Sequence, residues 1–230
     1  MVGLSRQLVF ELAHREALGL EDFLVSESNA EAVALIDRWP DWPAGAAVIA
    51  GPAGSGKSHL ANVWRAKTGA IIIDADGVTE PKVPDLADAR RLVVDNVRAG
   101  IDEQALFHLL NLVKEEKLSI LITADKAPGD LAIALPDLNS RLKALPLAVI
   151  RPPDDALLRA VLVKLFADRQ LSVEPAVIDY VVVRMERSLG AARAVVAESD
   201  KLALQLKRSV TRPIAAAALE SLGFSQSPGD

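Results

Sequence analysis

The run GPAGSGKSHL at residues 51–60 places Gly51 five positions ahead of the consecutive Gly56, Lys57 and Ser58. Each residue type answers a need of phosphate chemistry. Glycines let the backbone approach a phosphate chain closely, and the amide N–H groups of residues 54 to 58 can converge on its oxygens at the positive end of a helix dipole. A lysine at that spacing neutralises the outer phosphates, and a serine hydroxyl is a hard oxygen ligand for magnesium. The segment Gly51, Pro52, Ala53, Gly54, Ser55, Gly56, Lys57, Ser58 and His59 is therefore the expected phosphate site of a nucleotide. A glycine-rich turn that merely links a strand to a helix is the competing reading.

Such a site needs a carboxylate for the magnesium shell, at the end of a neighbouring apolar strand. RLVVDN supplies Asp95, which also fits a plain helix cap. Asn96 follows it, where many ATPases carry a second carboxylate that polarises the attacking water, and an amide cannot act as that base. In LITADKAP, Thr123 and Asp125 fall at the carboxyl end of the next strand, the edge where ligands bind in open α/β sheets. They are candidate sensors of a γ-phosphate, or else a turn ahead of Pro128. His14, His59 and His108 are too scattered to form a metal-ligand cluster.

Five runs rich in Val, Ile and Leu must position these groups: AAVIA at 46–50, AIIID at 70–74, RLVVD at 91–95, LSILIT at 118–123 and PLAVI at 146–150. They are apolar throughout instead of alternating, the pattern of parallel strands covered on both faces. Helical patterns lie between them, as in DEQALFHLLNLVKEEK, where Leu106, Leu109, Leu110 and Val113 share a face. After IRPPDD the strand signal stops, and helices are expected at about 154–170, 174–187 and 189–206 and from Pro213 onward. The expected α/β fold is a three-layer αβα domain with a parallel five-stranded sheet at residues 20–151, followed by a small α-helical lid domain at 152–224. An N-terminal extension occupies 1–19 and a tail 225–230.

Half of the 230 residues are apolar and only 4% are aromatic, which favours helices on a compact sheet over a β-sandwich. A formal charge of -5 with no Lys/Arg block argues against broad duplex binding, because a DNA backbone demands clustered cations. The absence of cysteine excludes disulfides and thiolate zinc sites. Charges interrupt every apolar stretch of the first 30 residues, and no run approaches the roughly 20 apolar residues of a membrane span. A cytoplasmic chain with no membrane partner is expected.

Taken together, these segments resemble the AAA+ module of the bacterial replication initiator DnaA and its shorter relatives, over residues 20 to about 220. DFLVSESN is similar to the family's entry segment, GPAGSGKSHL to its phosphate loop and LFHLLN to its Phe-His-x-x-Asn run. LITADKAP matches the first sensor, LPDLNSRL the arginine-finger segment and IRPPDDALLRAVLVK the start of the lid. The resemblance implies an AAA+ P-loop fold holding ADP or ATP with Mg2+, the adenine stacking near Phe23, Leu24 and Val25. Two departures matter. The chain ends near the point where DnaA's helix-turn-helix domain would begin, and only ADGVTEPKVPDLADAR at 75–90 stands in place of the insertion that engages single-stranded DNA. Little or no sequence-specific DNA binding is expected.

What remains is similar to the Hda-type regulators of this family, which join the replicative sliding clamp and trigger hydrolysis of ATP held by DnaA. QLVFEL then resembles their clamp-binding peptide, with Leu8, Phe10 and Leu12 entering an apolar cleft and the Gln7 amide bonding at its rim. In isolation the same six residues also fit an edge strand or the start of a helix. Arg141, by itself a surface arginine, is implied as an arginine finger acting in trans on the γ-phosphate of DnaA-bound ATP. The family's second sensor arginine falls at Gly190 in this register, with Arg187 one turn before and Arg193 one turn after. With Asn96, that implies weak or no ATPase activity of the chain's own. The implied partners are DnaA, the DNA polymerase III sliding clamp and, as an open alternative, a second copy of the chain. Two other classes compete: an autonomous AAA+ ATPase acting as a helicase loader, and a small-molecule P-loop kinase. The loader needs a helicase-binding region where only about 20 residues precede the core, and the kinase an arginine-bearing lid where 75–90 offers only Arg90.

Overall fold

The computed structural model describes residues 24–224. The five apolar runs form one parallel sheet: β1 (Ala46–Ala50), β2 (Ile71–Asp74), β3 (Arg91–Val97), β4 (Ser119–Ala124) and β5 (Leu147–Val149), in the spatial order β2-β3-β4-β1-β5. Parallel neighbours need long crossovers, and helices supply them. These are α1 (Ala30–Asp37) ahead of the sheet, α2 (Lys57–Thr68), α3 (Val83–Asp88), α4 (Glu103–Glu116) and α5 (Pro136–Ala144). Strand alternation sends Val48, Ile120 and Ile122 into one core with Leu109 and Leu138, and Ile49 and Leu121 into another with Leu35 and Trp64. Both faces of β1 and β4 are thereby buried.

The outer strands depart from the two-sided cover that the apolar runs suggested. β2 pairs with β3 alone, leaving Ile71 45% and Ile72 36% exposed. Leu147 and Val149 of β5 are also exposed, while Ala148 between them is buried beneath α1. Continuous hydrophobicity marks membership of a parallel sheet but does not separate its centre from its edge. Residues 75–90, read as a short filler, fold into two 3-10 turns and α3, and bury Val78, Val83 and Leu86 against α4.

Beyond the sheet come α6 (Asp155–Asp168), α7 (Pro175–Val182), α8 (Leu189–Leu206) and α9 (Arg212–Ser221). They enclose a separate core built on Leu158, Phe166, Val181, Val196 and Ile214. Asp154 caps α6, its carboxylate accepting from the Leu157 amide at 2.7 Å, and Ser188 caps α8 by accepting from Ala191 at 3.0 Å. α7 stops five residues short of the expected 187, because the chain must turn back before Ser188 can enter extended geometry and start α8. Among the described residues no helix is long and apolar enough to cross a membrane.

Leu109 is fully buried between α4 and the sheet, whereas Val183 is 72% exposed. Leu109→Ala is expected to cost about 2–5 kcal/mol in denaturant unfolding, and Val183→Ala less than about 0.5 kcal/mol.

Candidate functional site

The loop from β1 to α2 is held by close backbone packing. Gly51 donates its amide to the Ala124 carbonyl at 3.1 Å, and a Cβ on Gly51 would lie 2.5 Å from the Ile150 carbonyl oxygen, so only glycine fits there. Pro52, Ala53 and Gly54 are exposed along the loop, Ser55 is buried beneath it, and Gly56 precedes α2. Lys57 folds back across the loop, donating to the Gly51 carbonyl at 2.7 Å and the Pro52 carbonyl at 2.8 Å. Burial pushes its ammonium below the ordinary lysine range, while the negative charges of Asp95 and Asp125 pull the other way.

Asp95 is the meeting point of three elements. Ser58, in the first turn of α2, donates its hydroxyl to the Asp95 carboxylate at 3.0 and 3.3 Å. The Thr123 hydroxyl at the end of β4 donates to the same carboxylate and accepts the Asn96 amide at 2.8 Å. A hydroxyl and a carboxylate so close suit a hard cation that takes oxygen ligands; Ser58 and Asp95 would hold Mg2+ beside bound phosphates, where it supplies charge neutralisation. Asp125 stays exposed one residue beyond β4.

Asn96 is explained by its backbone. The ladder between β3 and β4 slips register between Val94 and Val97, and Asn96 sits in that irregularity with φ 67°. Asparagine tolerates left-handed geometry better than glutamate or a β-branched residue. Its side-chain amide lies 3.5 Å from the Asp74 carboxylate on β2, and Arg98 donates to the Asn96 carbonyl at 3.1 Å while pairing with Asp76. A carboxylate at position 96 would face Asp74.

The first turn of α8 lies on the phosphate loop. The Leu189 amide donates to the Gly54 carbonyl at 2.8 Å, and a Cβ on Gly54, whose φ is 71°, would come within 2.8 Å of the Ser188 Cβ. Of the two arginines flanking Gly190, Arg187 is engaged by Asp155 at 2.8 Å. Arg193 instead lines two neighbouring cavities. One, of about 170 Å³, is bordered by Gly54, Gly56, Lys57, Ser58, His59 and Gly190. The other, of about 320 Å³, is bordered by Leu24, Leu157, Val161, Leu165 and Leu189, with Asn29 at its side. A small cavity on the loop at residues 51–58 thus adjoins a larger one with a mainly apolar wall. Val25 packs into the core beside α1, and Asn29 braces the turn by donating to the Leu24 carbonyl at 3.0 Å.

Leu157, Val161 and Leu165 escaped sequence reasoning as pocket residues, although their i, i+4 spacing marks one face of α6. Arg141 is not among the residues lining either cavity; it lies on α5 with its guanidinium over the Phe107 ring, 5.1 Å from the centroid. Gln7, Leu8, Phe10, Leu12 and Phe23 lie outside the described residues.

A five-stranded parallel sheet with this strand order, a phosphate loop after β1 and helices covering both faces define the AAA+ fold. The chain superposes on domain III of the replication initiation protein DnaA from Thermotoga maritima with a TM-score of 0.73 and 20% identity, covering 87% of this chain and 95% of that one. Against AMPPCP-bound DnaA from Aquifex aeolicus the TM-score is 0.69 at 20% identity, covering 91% and 70%. The Holliday junction branch migration motor RuvB of Thermotoga maritima follows at 0.61 and 15%, covering 77% and 62%. At these identities the likeness is one of fold. In sequence, an uncharacterised protein of Haemophilus influenzae is 26% identical over 178 residues, 72% of this chain and 77% of its own length. No family model matches the chain.

Two measurements check this geometry. Gly54→Ala drives a methyl into Ser188 and strains a left-handed residue, so nucleotide affinity in calorimetric titration is expected to fall about tenfold or more; Gly190→Ala, whose Cβ meets nothing nearer than 3.7 Å, is expected to bind like the parent. Bound phosphate favours the charged form of Lys57, whose free pKa is lowered by burial. Affinity is therefore expected to fall as pH rises through that lowered value, at a lower pH than an ordinary lysine would give, and Lys57→Met is expected to abolish that dependence.

Proposed function

We propose that the chain is a nucleotide-binding regulator of replication initiation, of the DnaA-like AAA+ type, that acts on ATP held by a partner. In this reading it binds ADP or ATP with Mg2+ on its own phosphate loop, joins the DNA polymerase III sliding clamp through Gln7, Leu8, Phe10 and Leu12, and offers Arg141 in trans to the γ-phosphate of DnaA-bound ATP. The observation that carries the reading is a division of labour. Ser58, Thr123 and Asp95 are arranged to hold a nucleotide, yet the residue after Asp95 is an amide turned toward Asp74. Arg141 lies on a separate helix, outside both nucleotide cavities. Residues for binding are in place, while the residue that follows Asp95 is an amide, which cannot act as a general base.

The bound nucleotide then has a structural task. It would bridge the phosphate loop and the α6–α8 wall, fixing the lid against the sheet. Weak or no intrinsic ATPase activity follows. The likeness to DnaA, which is seen bound to AMPPCP and single-stranded DNA, supports DnaA as the partner, since AAA+ modules of one kind can pack side by side.

The test is hydrolysis of ATP preloaded on DnaA, with this protein and clamp loaded on DNA. Arg141→Ala is expected to leave the chain's own nucleotide affinity unchanged and to remove stimulation, a loss of about 10³-fold or more for a trans arginine. Replacing Gln7 and Leu8 by Ala is expected to abolish clamp binding in a pull-down without lowering the melting temperature. Rapid ATP turnover by the protein alone, lost in Lys57→Ala, would instead make it an autonomous ATPase of the helicase-loader kind.

A further inference from the structure

The helix that carries Arg141 has no cap of its own. α5 opens at Pro136 behind Leu135, an aliphatic side chain that cannot accept from the unpaired amides of a helix start. Glu103, in the first turn of α4, instead holds the entry to this helix from 32 residues away: its two carboxylate oxygens accept from the Ala134 amide at 2.9 Å and the Leu135 amide at 2.6 Å. A negative charge at this end of α5 is also favoured by the helix dipole. One turn further along α4, at i+4 from Glu103, Phe107 lies beneath the Arg141 guanidinium. Between these two contacts, Leu138 and Leu142 of α5 are buried in the core that holds Leu106 and Leu109 of α4. One face of α4 therefore grips α5 at its start, along its middle and at its arginine.

We infer that Glu103 is a positioning residue for Arg141, setting the axial height and rotation of α5 and so the point that the guanidinium reaches on a partner's phosphates. The inference rests on the reading of Arg141 as a finger acting in trans. Glu103 is placed for this by topology. Residues 98–102 bring the chain from β3, which carries Asp95, and residues 125–135 bring it from β4, which carries Thr123; the Glu103 carboxylate ties the ends of both connections together. Nothing else caps the amides of Ala134 and Leu135 among the described residues. Glutamine keeps the shape but loses the charge and one acceptor oxygen, while alanine removes the clamp altogether.

The experiment uses the full chain with clamp on DNA and DnaA preloaded with ATP, and reads the stimulated rate at saturation separately from the concentration giving half stimulation. Glu103→Ala is expected to lower the saturating rate about 10- to 100-fold with half-saturation within about twofold of the parent, the signature of a misplaced group rather than a lost docking surface. Glu103→Gln falls between them. Val113→Ala, a buried core change near the far end of the same helix that lowers the melting temperature without touching Glu103 or Phe107, is expected to keep the parent rate. A parent-like saturating rate for Glu103→Ala overturns the inference, as does a shift confined to half-saturation. Full stimulation by Arg141→Ala overturns the finger reading itself, whatever Glu103 does, and so separates the two failures.

Discussion

The Asp95 carboxylate is the interaction on which the site's geometry depends. It accepts hydroxyl protons from Ser58 on α2 and Thr123 on β4 while standing at the end of β3, so three chain segments that leave the same edge of the sheet are fixed to one group. Parallel strands cannot be joined by tight turns, and their carboxyl ends therefore open onto loops whose conformation the sheet alone does not determine. A shared polar anchor supplies what the sheet leaves free. Both hydroxyls donate to it, and the carboxylate lies close enough to Lys57 for its negative charge to act on that ammonium.

The lid is attached to this edge through main chain more than through side chains. The Leu189 amide on the Gly54 carbonyl brings two backbones into direct contact, and glycine at 54 leaves room for it. Arg187, which the family resemblance made a candidate for the second sensor, pairs instead with Asp155 at the start of α6. Arg193, one turn into α8, is left where the phosphate and apolar cavities join. An arginine there would contact a nucleotide from the lid side while Lys57 contacts it from the loop side. Under the proposed reading the ligand's affinity and the lid's position would be linked, since each contact would be complete only with both walls present.

Much of this was legible in the sequence, and the reason is periodicity. The phosphate loop, all five strands and the four lid helices each rest on a local signal of residue type and spacing. What was not legible depends on contacts distant in the chain. Ile71 and Ile72 are exposed on a strand that, among the described residues, pairs with β3 alone, a position no property of IIID encodes. The engagement of Arg187 by Asp155 and the capping of α5 by Glu103 join residues more than 30 positions apart. The i, i+4 spacing of Leu157, Val161 and Leu165 is visible in the sequence, yet only packing shows that these residues line a cavity, Val161 and Leu165 at the margin of the lid core.

Asn96 illustrates how a backbone constraint can decide chemistry. The register slip between β3 and β4 lets the Thr123 hydroxyl reach both the Asp95 carboxylate and the Asn96 amide, and the residue at the slip must accept left-handed geometry. Asparagine meets that demand at low cost, and its neutral amide can lie beside Asp74 and beneath the Arg98 network without like-charge repulsion. A glutamate would face a strained backbone and a second carboxylate together. The anchor that organises this edge of the sheet thus disfavours a carboxylate one residue later, and the proposed division between binding and turnover rests on that single backbone feature.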